Sequence, residues 1–384
     1  MYKRSLVFIA ACAGLAFFGV TMFALGPVLK QLGEGANALP ATLSVGIILG
    51  TVLFGPVVDR FGYKWLLICG AFLAIAGIQG LANYKDMTLL HISMFMLGFG
   101  GGILNGETNA LVAEIYDDSK RGARLSILGA FYCIGALLWT LLNYFITDYA
   151  IPLHCISCIM FVAVILFIAI QFPKAKPKDS VSLYKSLRLL KYPSLILFAL
   201  ILFFQSGFEG ISGNFTVKFL GEMHETPNNT ATLSLTWFTT GMFIGRIPLG
   251  LIMKKLNDSA TLYLYLSIAV IGVVFLYFNT GVVFLHFAEN TAVVYLSTAL
   301  IGFGVGATYP VVFNYLGSTF KELSGTAFSI AIFIGLLGQF TFNRIAGIFF
   351  DRGDFACFPF ALAFAVVMMM VILPAAKSKT KIKK

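Results

Sequence analysis

Residues 89–115 read LLHISMFMLGFGGGILNGETNALVAEI. A bilayer-spanning helix needs about 20 mostly apolar residues, and this run is long enough. Gly98, Gly100, Gly101 and Gly102 crowd its middle. Such a run weakens a helix in water, yet small residues let helices approach closely inside a membrane. The stretch also recurs: Gly98-Phe99-Gly100-x-Gly102 returns as Gly302-Phe303-Gly304-x-Gly306. A second pattern behaves alike. Gly46, Gly50, Gly55 and Asp59 are spaced by 4, 5 and 4, as are Gly241, Gly245, Gly250 and Lys254. Two matches in corresponding places mark an internal repeat.

The composition agrees. Of 384 residues, 59% are hydrophobic and 11% charged, whereas a soluble domain carries roughly a quarter charged residues. No water-facing surface can be built from that supply, which excludes soluble enzymes, nucleic-acid binders and disordered scaffolds. The expected fold class is an all-α membrane protein; the alternating signature of a membrane barrel is absent. Twelve transmembrane helices are expected, at 6–29, 41–58, 65–82, 89–115, 125–147, 151–172, 194–220, 231–253, 260–278, 291–316, 325–349 and 355–375. They divide into two pseudo-symmetric six-helix halves, an architecture that places a solute site at mid-membrane.

Charge orients the chain. With both termini cytoplasmic, 21 of the 27 Lys and Arg fall on the inner side, as the positive-inside rule requires. The resulting organisation is an N-terminal bundle at 1–172, a basic cytoplasmic linker at 173–193, a C-terminal bundle at 194–375 and a basic tail at 376–384. The linker suits contact with anionic lipid heads. The net charge of +10 is therefore a membrane signal, and no nucleic-acid partner is expected. The six Cys lie in apolar stretches. Cys155 and Cys158 have C-x-x-C spacing but no second pair or nearby His, and read as packing residues.

Gly55-Pro-Val-Val-Asp59-Arg60-Phe-Gly62-Tyr-Lys64 resembles the signature loop of the major facilitator superfamily, G-x-x-x-D-R-x-G-x-K/R. Within it, four further patterns resemble the fucose–galactose–glucose proton symporter branch: Leu104-Asn105-x-x-x-Asn109, Ser206-Gly207-Phe208-Glu209, Gly245-Arg246-x-x-x-Gly250, and Gly302-x-Gly304-x-x-Ala307-x-Tyr309-Pro310. The resemblance implies the major facilitator fold and sugar uptake driven by protons; the residues alone name no sugar. One departure matters. The acid that this branch carries in span four falls at Asn105 here, and span one has no acid.

Gly55, Asp59, Arg60, Gly62 and Lys64 form a candidate gating loop. Asp59 could latch onto the positive end of a helix in the other half; the alternative is a plain orientation signal. Glu209 and Glu107 are the proton-coupling candidates, because a carboxylate at mid-membrane is costly and defaults to function. Glu209 is flanked by Gly207, Gly210 and Gly213, and could instead be a neutral acid bonded between helices. Glu107 lies about 200° around its helix from Asn105, so it looks toward a neighbouring helix as a proton site or a structural partner. The intramembrane basic residues Arg246 and Arg344 either snorkel or face the interior, where they would favour an anion. Substrate-binding candidates are Asn105, Asn109, Gln205, Asn214, Trp237, Tyr309, Asn314, Gln339 and Asn343. Singly each could be an interhelical hydrogen bond; together they describe a polar, largely uncharged interior.

No phosphate-binding loop, metal-ligand cluster or nucleophile motif occurs, so neither catalysis nor a cofactor or metal is expected. The reading is a monomeric secondary transporter of the bacterial inner membrane, taking a hexose-like sugar and a proton as partners. The alternatives are an organic-anion or drug transporter of the same fold, and a non-transporting membrane sensor or scaffold.

Overall fold

The structure is a computed structural model that describes residues 2–146, 148–173, 189–223, 226–279, 291–320 and 324–379; inside helices, the side chains of residues 55, 56, 59, 60, 118–123, 324 and 325 are not described. All regular secondary structure among the described residues is helical. Two compact units divide it: Met1–Lys178 with Pro227–Thr232, and Asp179–Thr226 with Leu233–Lys384. Most of the basic linker lies outside the described residues.

The first unit holds α1 (Arg4–Phe23), α2 (Leu39–Phe61), α3 (Tyr63–Asn83), α4 (Met87–Ile115), α5 (Asp118–Phe145) and α6 (Ala150–Ala169). The second holds α7 (Pro193–Met223), most of α8 (Asn228–Arg246), α9 (Leu249–Lys255), α10 (Asp258–Asn279), α11 (Thr291–Val305), α12 (Thr308–Thr319), α13 (Ser324–Asp351) and α14 (Cys357–Ser378). Among the described residues, eleven stretches are long and apolar enough to cross a membrane, with α11 and α12 forming one of them. A twelfth is the pair α8 and α9, bent by 45° at its break. The protein is a multi-pass membrane protein.

The glycine run of α4 explains why this helix sits centrally in its unit. A Cβ at Gly98 or Gly102 would collide with the carbonyls of Leu43 or Ile47 on α2. One at Gly100 would strike the Gly70 carbonyl on α3, and one at Gly101 would meet Thr21 on α1. Each glycine is thus the point where a different neighbour comes closest. The α2 side answers in kind: Gly46 and Gly50 abut the backbone of Phe95 and Phe99.

The second unit repeats the arrangement. Gly241 and Gly245 of α8 abut the carbonyls of Ala299 and Phe303 on α11, while Gly302 and Gly306 abut those of Phe238 and Met242 on α8. Gly304 faces Ala269 and Tyr265 of α10. The repeat in the sequence is therefore one helix-to-helix contact made twice. A third repeated contact joins α1 to α5 and α7 to α13. Gly135 meets the Ala16 carbonyl and Gly19 that of Tyr132; in the other unit Gly338 meets the Phe203 carbonyl and Gly207 the Phe342 ring.

Helix ends follow local chemistry. The first span ends at Phe23 rather than 29, because Pro27 supplies no N–H to continue the helix. The Trp139 indole N–H donates to the Phe23 carbonyl at 2.8 Å. Asp86 caps α4, accepting from the Leu89 amide at 3.0 Å, which satisfies one free N–H of the first turn. Gly62, with φ of 79°, makes the turn between α2 and α3, a conformation open to glycine.

Packing this close predicts a graded response to added carbon. Gly135→Val and Gly338→Val force backbone apart and should each cost about 1–3 kcal/mol or more, removing the monodisperse peak in size-exclusion chromatography after mild heating. Gly250→Ala, with nothing within 4 Å of the new methyl, should elute like the parent protein.

Candidate functional site

The second unit contains two helix breaks lying side by side. One separates α8 from α9 at Ile247 and Pro248; the other separates α11 from α12 at Gly306 and Ala307. Each break frees carbonyls that would otherwise be bonded within a helix, and inside a membrane those groups need protein partners. Three side chains from three helices supply them. The Tyr265 hydroxyl of α10 donates to the Gly245 carbonyl at 2.6 Å. Gln205 of α7 donates through Nε2 to the Val305 carbonyl at 3.3 Å. Arg246, the last residue of α8, donates through Nε to the Gly306 carbonyl at 3.3 Å.

Polar groups gather beside these caps. Tyr309, in the first turn of α12, shares a 2.5 Å hydrogen bond with Ser206 of α7. The Tyr309 hydroxyl lies within electrostatic reach of both Glu209 and Arg246. Glu209 is 5% exposed and sits one turn along α7 from Gln205. Further along, Asn214 donates to the Gly210 carbonyl at 2.9 Å and to Asn343 Oδ1 of α13 at 3.4 Å. Gly210 admits Gln339 and Asn343, whose side chains would touch a Cβ placed there. Gln205, Glu209, Asn214, Tyr309, Gln339 and Asn343 thus form one polar seam in this unit. Gln205 Oε1 and Asn214 Oδ1 are buried acceptors with no hydrogen-bond donor among the described residues.

In the first unit, Asn109 donates to the Asn105 carbonyl at 2.8 Å and lies 3.3 Å from its Oδ1. The two amides stack on one half-buried face of α4. Glu107 lies elsewhere on α4, fully buried. Its carboxyl comes near the backbone of Leu67 on α3, yet neither oxygen makes a hydrogen bond of ordinary geometry. Lys64 donates to the Ile168 carbonyl at 2.5 Å, closing the last turn of α6, and Tyr63 donates to Glu114 at 2.7 Å. Gly62 is the turn described above; Gly55, Asp59 and Arg60 fall in the last turns of α2, where their side chains are not described.

Several expected residues are not in the seam. Asn314 is exposed midway along α12 and donates to Asp258 Oδ2 of α10 at 2.8 Å, so its amide is turned onto the start of α10 and not toward Tyr309 in the first turn. Trp237 is 41% exposed, since the α8 face packed on α11 is occupied by Gly241 and Phe238 instead. Arg344 is exposed on α13. Arg246 is half-buried and turned onto the α11 break rather than extended toward an interface. Ser206 and Tyr265 were missed as contributors. A hydroxyl in an apolar span is common, and which carbonyl it will meet depends on a break in another helix.

A helical membrane protein made of two repeated units, with discontinuous helices beside a polar seam, has the construction of a secondary transporter. The family model described as Major Facilitator Superfamily matches residues 6–343, and the chain belongs to that superfamily. It is 22% identical over 322 residues to the glucose/mannose transporter GlcP of Bacillus subtilis, covering 78% of this chain and 77% of that one. It is 30% identical over 146 residues to the multidrug resistance protein MdtH of Salmonella paratyphi B, covering 35% of this chain and 36% of that one. Its fold matches the crystal structure of a D-xylose-proton symporter with a TM-score of 0.75 at 15% identity, covering 98% of this chain and 97% of that one.

The capping account has a direct check. Tyr265→Phe leaves the Gly245 carbonyl buried without its donor. Stranding such a group costs about 1–3 kcal/mol, so the variant should unfold at lower temperature in detergent. Tyr192→Phe, at an exposed position on another segment, should not.

Proposed function

We propose that this transporter moves a small neutral polyhydroxylated solute, a hexose-like sugar, together with a proton, by alternating access, with Glu209 as the coupling acid. The observation that carries the reading is the composition of the seam in the second unit. It consists of carboxamides and hydroxyls with one carboxyl among them, and its buried acceptor oxygens suit the O–H donors of a sugar. Glu209 lies among these groups, where solute and proton could influence one another directly. Glu107 is the second coupling candidate; it lies apart from Asn105 and Asn109, so protonation there would reach solute only through packing.

The names of two relatives support a sugar. GlcP is described as a glucose/mannose transporter, and the structural neighbour as a xylose-proton symporter. The anion alternative rests on Arg246, whose Nε is engaged with a backbone carbonyl and which lies within electrostatic reach of Tyr309; Arg344 is exposed. The drug alternative keeps one observation, the similarity to MdtH over 146 residues. We further propose the bacterial inner membrane, cytoplasmic termini, a monomer contacting lipid through its apolar faces, and the two six-span bundles joined by the basic linker as the moving parts.

The experiment is uptake of labelled hexoses, organic anions and cationic dyes into proteoliposomes, with and without an inward proton gradient. One or more hexoses should accumulate only with the gradient. Glu209→Gln should abolish accumulation while leaving exchange of internal for external sugar. Transport of dyes or anions alone would contradict the sugar reading, and accumulation surviving in Glu209→Gln but lost in Glu107→Gln would move the coupling site to α4.

A further inference from the structure

We infer that Arg246 is a positioning residue: its guanidinium stands in for the amide hydrogen that Pro310 lacks, and so fixes the start of α12 and the hydroxyl of Tyr309. In a continuous helix the N–H of residue 310 would donate to the carbonyl of residue 306. Proline has no N–H to give. The carbonyl it strands is Gly306, and that is the atom that Arg246 Nε approaches at 3.3 Å.

The surroundings favour this pairing. Gly306 directly follows the last residue of α11, where the helix end carries partial negative charge that a guanidinium offsets. Gly306 also has no side chain to hold α8 away; a Cβ there would lie 2.9 Å from the Met242 carbonyl. One residue earlier, Gln205 of α7 holds the Val305 carbonyl. The first turn of α12 is therefore fixed relative to α7 and α8, and Tyr309 meets Ser206 at 2.5 Å as a consequence. On this reading Arg246 carries its charge for the backbone and not for an anionic solute. The effect on transport rests on Tyr309 serving as a solute contact, as proposed above, whereas the effect on the helix break does not.

The test uses both residues. Thr308, fully buried at the start of α12, is replaced by cysteine in a chain whose six native cysteines are removed, and its alkylation by N-ethylmaleimide is timed in membranes. Arg246→Gln should raise the labelling rate on the order of tenfold, as loss of one charge-assisted hydrogen bond implies. Adding Pro310→Ala, which returns an N–H to Gly306, should bring the rate back down. If Arg246→Gln alone fails to fold, the same second substitution should restore monodisperse protein. A rate unchanged by Arg246→Gln overturns the inference, and so does a defect that Pro310→Ala leaves in place. In the uptake assay the KM for the transported hexose should rise in Arg246→Gln and recover in the double variant. Should no hexose be carried, the labelling result still decides the role of Arg246.

Discussion

A bilayer core offers no water to replace a lost backbone hydrogen bond, and that constraint shapes this protein wherever a helix is interrupted. Where α8 and α11 stop, side chains take over. Tyr265, Gln205 and Arg246 each satisfy one carbonyl, and each comes from a different helix. The polar residues near the breaks are thus first of all an answer to backbone chemistry. Whatever they do for a solute depends on that answer.

The same constraint explains the glycines. Once the backbone bonds are closed within helices, association inside a membrane depends on close approach rather than on expulsion of water. The α2–α4 contact and the α8–α11 contact use glycines at matching positions on both partners. Thr21 against Gly101 and the Phe342 ring against Gly207 show the freed volume filled by a neighbour's side chain. Position 305, which corresponds to Gly101, is Val, and its carbonyl is bonded instead to Gln205 of α7. The two units are repeats in packing and differ in polarity: continuous and centred on glycine in α4, interrupted and capped in α11–α12.

Much of this was legible in the residues. The repeated Gly-Phe-Gly-x-Gly block located the same interface in both units, and the spacing of Asn105 and Asn109 placed them on one face, away from Glu107. Other features depended on distant partners. Pro310 is visible in the sequence, yet that it strands Gly306, and that Arg246 answers, requires knowing that α8 runs beside α11. Arg246 therefore read as a snorkelling or solute-binding residue. Asn314 read as interior because it is a polar residue in an apolar span; that its amide meets Asp258 of α10 depends on a partner 56 residues away. The α1–α5 and α7–α13 glycine contacts escaped notice because their partners are carbonyls of Ala16 and Phe203, which no sequence pattern marks.

Proton coupling to a neutral solute is most directly tested by recording the pH of a lightly buffered suspension of de-energised cells that produce the protein, as each hexose is added. Symport through Glu209 predicts alkalinisation of the medium with at least one hexose, and none in cells producing Glu209→Gln. A medium that acidifies on addition of solute, or stays unchanged while labelled hexose enters, would contradict it.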